Sequence, residues 1–337
     1  MMRKYPCRAA SLITVVAAGL GPWAPATASA RGMAATACFR VTATVPLAAA
    51  PNAVAVNPQT DTVYVTSFEA GTVSVVDGRT NAVTATIPVG TGPDAVAVNP
   101  STNTIYVASF DAGTVSVIAG RTSTVTATIL VGAGLDAVAV NPSTGTIYVD
   151  ARLDDSVSVV DGRTNTVFKT IRLPANSRPE GLATDSETNT IYVTDFGTNT
   201  VSVIRGRTNT VTGTIPVGNT PLGAAVNPAT DTLYVTNYDN RTVTVIDGRT
   251  NTVTATIRVG GNPQGITVGP RSKDIYVANR VDSTVSVIRG RTNTVFKTIR
   301  LPQNSFPEGL ATDSQTNTIY AADNGSDTVS AIAICPK

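Results

Sequence analysis

The chain contains no histidine among its 337 residues. This absence excludes Ser-His-Asp triads, Cys-His nucleophile pairs and every metal site that uses imidazole. Charged residues are also few, at 14% of the chain against roughly 25% in an average soluble domain. The hydrophobic fraction of 42% is ordinary, so the composition is that of a folded protein and not of a disordered one.

The sequence also lacks an apolar run of the roughly 20 residues that a membrane-spanning helix needs. Three basic residues precede a short, uncharged and largely apolar run over residues 9–21, and Ala28-Ser29-Ala30 follows as a small-x-small site. These features are typical of a secretory signal peptide, the alternative being an uncleaved N-terminal anchor. We predict a signal peptide over residues 1–30, a short linker over 31–37 and one folded domain over 38–337.

Cleavage near Ala30 would make the protein secreted, extracellular or bound at the cell surface. It would remove three of the 25 Lys and Arg and none of the 23 Asp and Glu, so the net charge would fall from +2 to about −1. Nucleic-acid binding needs clustered positive charge, so this charge argues against it. We expect a monomer with no transmembrane segment.

A repeat of 42 to 44 residues accounts for the rest of the chain. Each unit has four short runs rich in Val, Ile, Thr and Tyr, separated by turns and without helical periodicity or caps. One tyrosine marks every unit, at Tyr64, Tyr106, Tyr148, Tyr192, Tyr234, Tyr276 and Tyr320. A β-helix has shorter rungs, and a β-sandwich does not repeat one four-strand unit seven times. We therefore predict an all-β, seven-bladed β-propeller of four-stranded antiparallel blades.

Two levels of repetition are present. Residues 167–203 and 295–331 are nearly copies of each other at an offset of 128 residues, which indicates a duplicated block of three units. Segments such as NTIYVASF, NTIYVTDF and DTLYVTNY, followed by VSVVDG and VTATIPVG, resemble the YVTN family of β-propeller repeats over residues 38–334. The resemblance implies the propeller fold and a secreted or surface protein, and it implies no particular ligand.

The chain begins and ends inside a blade. Arg40–Leu47 matches the fourth strand of a unit, whereas the last unit, from Glu308, supplies only three strands. We predict that the N-terminal strand completes the last blade, which removes an open sheet edge. Cys38 and Cys335 align with neighbouring turn positions of an ordinary unit, and in an oxidising compartment we predict a disulfide between them.

Two sets of candidate site residues lie on the same face of the predicted ring. The first set comprises aromatic and Arg side chains of the loops, which could stack on sugars, bases or peptide side chains or else pack against a neighbouring blade. Its members are Phe68, Phe110, Arg152, Arg178, Phe196, Tyr238 and Arg280. Arg178 stands where the duplicated copy has Phe306.

The second set is a ring of carboxylates at the entrance to the innermost strands: Asp94, Asp136, Glu180 and Glu308. Such a ring could hold Ca²⁺ or another divalent cation. It could also share protons through mutual repulsion, or be solvated acids around a water-filled channel. The opposite face carries a repeated Gly-Arg-Thr turn, which we interpret as a solvated turn copied by duplication, at Arg79, Arg121, Arg163, Arg207, Arg249 and Arg291.

These observations favour a non-catalytic binding module for a protein or a cell-envelope polymer. The alternative is a metal-dependent hydrolase, lactonase-like or lyase-like, that uses the carboxylates. The segments Glu180–Thr184 and Tyr192–Asp195 look similar to those of streptogramin-type lyases, and the fold is similar to lactonases. Lyase chemistry that depends on histidine cannot be transferred to this chain, and the hydrolase rests on fold analogy alone.

The disulfide is directly testable by intact-mass measurement without reductant. We expect a mass two hydrogens below that of the reduced mature chain. We also expect Cys38→Ser to lower the free energy of unfolding by roughly 4–5 kcal/mol, because the link would close a loop of almost the whole domain. Two free thiols in the secreted protein would contradict the pairing.

Overall fold

The computed structural model describes residues 38–334, and in that range the chain forms 28 β-strands and no α-helix. No helix of this range could therefore span a membrane. The predicted signal peptide and Cys335 lie outside the described residues. Three single turns of 3-10 helix lie at Arg152–Asp154, Pro228–Thr230 and Asn324–Ser326.

The strands follow the repeat of the sequence. In chain order they are β1 (Phe39–Pro46), β2 (Pro51–Asn57), β3 (Thr62–Ser67), β4 (Thr72–Asp77), β5 (Ala82–Pro88), β6 (Pro93–Asn99), β7 (Thr104–Ser109), β8 (Thr114–Ala119), β9 (Thr124–Leu130), β10 (Val138–Asn141), β11 (Thr146–Ala151), β12 (Ser156–Asp161), β13 (Thr166–Arg172), β14 (Pro179–Asp185), β15 (Thr190–Asp195), β16 (Thr200–Arg205), β17 (Thr210–Pro216), β18 (Pro221–Asn227), β19 (Thr232–Asn237), β20 (Thr242–Asp247), β21 (Thr252–Arg258), β22 (Pro263–Val268), β23 (Ile275–Asn279), β24 (Thr284–Arg289), β25 (Thr294–Arg300), β26 (Pro307–Asp313), β27 (Thr318–Asp323) and β28 (Thr328–Ile334).

Seven antiparallel four-stranded sheets form the blades of one ring. Blades 1 to 6 are β2–β5, β6–β9, β10–β13, β14–β17, β18–β21 and β22–β25. In blade 7, β1 is the outer strand and pairs with β28, from Phe39 opposite Ile334 to Pro46 opposite Thr328. The innermost strand of each blade contacts those of both neighbours, and β2 contacts β26, so the ring is closed. The predicted seven-bladed propeller, completed by the N-terminal strand, is confirmed.

Burial explains the residue pattern of each blade. The second and third strands are buried on both sides because blades stack face to face, so these strands are nearly continuous in Val, Ile, Tyr and Ser. The outer strand has one neighbour only and is mostly exposed. In β5, for example, only Ile87 is buried, and the other positions are Thr, Ala, Val and Pro.

The seven repeat tyrosines join neighbouring blades. All are at most 1% exposed, and each belongs to a hydrophobic cluster that includes residues of the following blade. The Tyr320 hydroxyl donates a hydrogen bond of 3.0 Å to the carbonyl of Gly78, across the boundary between blades 7 and 1. The Tyr148 hydroxyl reaches Oδ1 of Asn209 in blade 4 at 3.2 Å.

At the boundary between blades 6 and 7, Phe39 of the N-terminal strand packs against the repeat tyrosine Tyr276. The Phe39 ring lies 6.3 Å from the Tyr276 ring in an edge arrangement and 6.3 Å from the Phe296 ring. Cys38 directly precedes Phe39, which pairs with Ile334, the last described residue. The disulfide stays a prediction because Cys335 lies outside the described residues.

The contacts of the repeat tyrosines between blades can be tested with a matched pair of mutations. Tyr320→Phe removes a buried hydrogen bond and leaves the Gly78 carbonyl unsatisfied, so we expect a loss of about 1 kcal/mol in the free energy of unfolding. Tyr64→Phe should be neutral or slightly stabilising, because the buried Tyr64 hydroxyl has no hydrogen-bond partner within residues 38–334. Urea unfolding of the two variants checks this, and equal losses would contradict it.

Candidate functional site

A cavity of about 230 Å³ is lined by residues in or next to the innermost strands of all seven blades. Its entrance, the channel mouth, is formed by one residue of each blade: Asn52, Asp94, Asp136, Glu180, Leu222, Gln264 and Glu308. The next residue along the chain is Ala or Gly in every blade, and the one after is aliphatic, for example Ala53 and Val54. A polar mouth therefore lies above an aliphatic wall.

Close approach of neighbouring backbones requires the small residues. A Cβ atom at Gly181 would lie 2.1 Å from the carbonyl oxygen of Leu222, and one at Gly265 would lie 2.1 Å from that of Glu308. Only glycine fits where the blades come this close. The mouth residues are consequently held near one another in a half-buried ring, where charge is poorly solvated.

The carboxyl groups of Asp94 and Asp136 interact directly, and a hydrogen bond between them requires a proton on one of the two. Burial raises the pKa of Asp94 to about 9, and the negative charge of Asp136 adds to that effect. Burial also raises the pKa of Asp136, but its bonds to Asp94 and Arg152 act against this. At neutral pH Asp94 therefore keeps its proton.

Arg152 contacts Asp136 and forms a first Arg cluster with Glu180 and Phe196. Its Nη1 is 2.8 Å from Oε2 of Glu180 and 3.5 Å from Oδ2 of Asp136, and its guanidinium lies 5.1 Å from the centre of the Phe196 ring. Burial and the charge of Asp136 raise the pKa of Glu180 and Arg152 lowers it, and the net result is a pKa of about 7. The Arg152 side chain is held on three sides.

A second Arg cluster lies in blades 6 and 7 and consists of Gln264, Arg280, Phe306 and Glu308. Nε of Arg280 is 2.9 Å from Oε1 of Glu308, and the guanidinium is 5.7 Å from the centre of the Phe306 ring. Burial raises the pKa of Glu308, while hydrogen bonds from Arg280 and Gln264 lower it. Leu222 separates the two clusters on one side of the mouth and Asn52 on the other.

The two clusters are products of the duplicated block but take their aromatic rings from different loops. Arg152 and Arg280 are 128 residues apart, as are Glu180 and Glu308. Phe196 comes from the loop between the second and third strands, whereas Phe306 comes from the loop between the fourth and first strands. The equivalent positions hold Asn324 and Arg178. Each Arg thus contacts one aromatic ring, and the two rings stand at different positions of the duplicated block.

The remaining predicted binding residues surround the mouth on the end of the ring that we call the top face. It carries the loops between strands two and three and between strands four and one. Phe68, Phe110 and Tyr238 are half-buried there. Their amides donate to the carbonyls of Ala50, Gly92 and Thr220 at 2.7 to 2.9 Å, so the main chain fixes their places. Arg178 is exposed at φ +45°, and its amide donates to Oδ1 of Asp155 at 2.8 Å.

The structure brings the four predicted metal ligands to one cavity but not to one point. Asp94 and Asp136 share a proton, Glu180 pairs with Arg152, and Glu308 belongs to the second Arg cluster. Within residues 38–334 no group of three or more His, Cys, Asp or Glu is placed to hold a metal ion. A cation at the mouth stays a prediction, and the arrangement favours proton sharing.

Comparisons with known proteins bear on the fold. A family model described as YNCE-like beta-propeller matches residues 173–337. A comparison with curated proteins finds no match. Among solved structures 1675 chains match, including a chain of hydrazine synthase from Kuenenia stuttgartiensis with a TM-score of 0.76 and 19% identity, over 86% of this chain and 96% of that chain. At this identity the likeness shows the fold alone.

The chain fits a YVTN-type β-propeller repeat protein. The resemblance seen in the sequence is thereby confirmed. The family match covers blades 4 to 6 and three strands of blade 7, and blades 1 to 3 repeat the same four-stranded unit.

The bottom face of the propeller, which carries the turns between strands three and four, is uniform. All six Gly-Arg-Thr arginines are exposed. Arg79, Arg163 and Arg249 each lie 3.5 to 4.0 Å from an Asp carboxylate, so part of their charge is neutralised. Exposed pairs of this kind contribute little energy, which agrees with solvated turns.

Asp150 is a site residue that the sequence reasoning missed. It is completely buried beside the mouth, and its Oδ1 accepts hydrogen bonds from the amides of Asp136 and Ala137 at 2.9 and 2.7 Å. Burial, together with the charge of Asp136, raises its pKa well above the usual range. One feature of the sequence could have identified Asp150: it is an acid in β11 at the position where blades 1, 4 and 5 have threonine.

The proton on Asp94 makes stability depend on pH. Because folding raises the pKa of Asp94, its contribution is fully present below its unfolded pKa of about 4 and is lost as the pH rises through about 9. Asp94→Asn keeps a donor for Asp136 but does not titrate. We therefore expect a flatter pH dependence for the variant and a higher free energy of unfolding than wild type at pH 8.

Urea unfolding at pH values from 5 to 9 measures this difference. Asp111→Asn serves as the control, because Asp111 is exposed on the neighbouring loop. The free energy of unfolding of this variant should depend on pH as that of wild type does. Parallel curves for Asp94→Asn and wild type would contradict the protonated pair.

Proposed function

We propose that this propeller is a non-catalytic binding module, secreted or at the cell surface, that takes a protein or a cell-envelope polymer on its top face. The observation that carries this proposal is the contrast between the two faces. The bottom face repeats one solvated turn, whereas the top face combines aromatic rings, two Arg clusters and a cavity.

The top face has the properties of a preorganised binding surface. Half-buried aromatic rings supply flat, rigid contact area, and sugars or peptide side chains pack well against such rings. Arg152 and Arg280 are already fixed by carboxylates and Phe rings, so binding costs little of their side-chain entropy. Their exposed edges remain able to donate hydrogen bonds to a ligand.

The alternative, a metal-dependent hydrolase or lyase, has no comparable support. Its candidate acids are engaged by two arginines and by each other, and the enzymatic name of the hydrazine synthase chain belongs to that protein. The likeness to it extends to the fold only.

The proposal is tested with the triple variant Phe68→Ala, Phe110→Ala, Tyr238→Ala. We expect at least about a tenfold loss of apparent affinity, because truncation of an interface aromatic commonly costs more than about 1 kcal/mol. Binding is measured by co-sedimentation with purified peptidoglycan, and with envelope proteins captured on immobilised wild-type protein.

The matched control is a bottom-face variant, Arg79→Ala, Arg121→Ala, Arg163→Ala, which should bind as wild type does. Both variants are first shown to unfold at the wild-type urea concentration. Loss of binding in the bottom-face variant with full binding in the top-face variant would overturn the proposal.

A further inference from the structure

Blades 5 and 6 show how an asparagine is accommodated at the last position of the second strand. Asn237 and Asn279 are completely buried there. Nδ2 of Asn237 donates to the hydroxyls of Thr242 and Thr244 at 3.0 and 2.9 Å, and its Oδ1 accepts the amide of Gly218 at 3.1 Å. Asn279 makes the same bonds with its own neighbours. The position therefore uses a neutral side chain with one donor end and one acceptor end.

Blades 4 and 7 place an aspartate in this environment. Asp195 and Asp323 are completely buried. Oδ2 of Asp195 takes the place of the Asn nitrogen, at 2.7 Å from the Ser202 hydroxyl and 3.0 Å from that of Thr200. Oδ2 of Asp323 is likewise bonded to the Ser330 hydroxyl.

The acceptor end differs between the two kinds of blade. Oδ1 of Asp195 and of Asp323 is buried and has no hydrogen-bond partner within the described residues. The glycine amide that serves Asn237 is missing because the duplicated loop is longer by two residues and contains Pro174 or Pro302. A buried carboxylate oxygen without a donor is costly, whereas the carbonyl oxygen of a neutral acid tolerates the same place better.

We propose that Asp195 and Asp323 are a duplicated pair of proton-binding sites, neutral in the folded protein at mildly acidic pH, whose ionisation changes the hydrogen bonds of the loops that carry Arg178 and Phe306. In the neutral form Oδ2–H donates to a hydroxyl, as the asparagine nitrogen does in blades 5 and 6. In the ionised form the surrounding hydroxyls must all donate to the carboxylate.

Within residues 38–334, the groups that lower the pKa of Asp195 and Asp323 are all uncharged. On Asp195 they are the hydroxyls of Ser202, Thr200 and Ser177 and the backbone amide of Ser202, and on Asp323 they are the equivalent hydroxyls of Ser330, Thr328 and Ser305. Burial raises the pKa of Asp195 to about 6 and that of Asp323 to about 7, and the hydroxyl bonds act against this rise. Both groups thus titrate near neutrality.

The connection to the top face runs through Ser177 in blade 4; its counterpart Ser305 is equally buried, but its hydroxyl has no hydrogen-bond partner within the described residues. The Ser177 hydroxyl donates to the carbonyl of Pro174 at 2.6 Å, and it is also one of the groups that can donate to Asp195. Ser177 precedes Arg178, and Ser305 precedes Phe306, the aromatic ring of the second Arg cluster. Arg178 and Phe306 both have φ of +45°, so these are strained loop positions held by their surroundings.

The test uses Asp195→Asn and Asp323→Asn, which copy the residue of blades 5 and 6. Folding raises the pKa of both acids, so their stabilising contribution is lost as the pH rises through about 6 and about 7. Between pH 5 and pH 8 we expect the unfolding equilibrium constant of wild type to rise at least about tenfold more than that of each variant. Parallel curves would overturn the proposal.

A second measurement on the folded protein does not depend on the stability of the variants. The amides of Gly197 and Gly325 donate to the carbonyls of Ser177 and Ser305 at 2.8 Å and report on the two loops. In wild type their NMR shifts should titrate with the carboxyl carbons of Asp195 and Asp323. Carboxyl signals that remain ionised at pH 5, or loop amides that do not move, would overturn the proposal. Neither readout involves a ligand, so failure of the proposed binding function remains distinguishable.

Discussion

The antiparallel pairing of β1 with β28 keeps both ends of the chain in one sheet, and the circular stack of blades depends on this pairing. Each blade buries its second and third strands against its neighbours, so an open ring would expose the flanks of two blades. Phe39 strengthens the closure because it packs on Tyr276 and Phe296 at the boundary where the repeat is interrupted by the chain ends. The closure of the ring thus depends on aromatic packing as well as on strand pairing.

Closure also determines the chemistry of the channel mouth. Seven innermost strands approach so closely that glycine is required at Gly181 and Gly265. Side chains at the mouth are consequently held in a poorly solvated ring, and four acids cannot all be ionised there. Two of them are neutralised by Arg152 and Arg280, while another keeps its proton. The same confinement fixes both arginines in place, which is the property that suits the top face to ligand binding.

The absence of histidine affects which groups of this protein titrate near neutral pH. A chain without imidazole has no side chain whose ordinary pKa lies near neutrality. Burial moves several carboxyl groups into that range instead, both at the mouth and at the ends of β15 and β27. Such groups favour the folded state most at acidic pH, because the folded protein binds protons that the unfolded chain releases.

The local pattern of the sequence was sufficient to predict the architecture. The tyrosine repeat and the turns between β-branched runs predicted seven blades, and the mismatch between Arg40–Leu47 and the three-stranded last unit predicted how the ring closes. The sequence also identified the residues of the mouth and the top-face loops, because their positions follow from the repeat. Alignment of units could not reveal that Phe196 and Phe306 serve equivalent arginines from different loops, nor that Asp150 lies buried beside Asp136.

The sequence by itself determined the fold, since strand periodicity and turn chemistry are local properties that the repeat copies seven times. Only the tertiary structure decided the charge state of the site. The pKa of a carboxyl depends on burial and on neighbours such as Arg152 that are distant along the chain, and these are brought together when the ring closes.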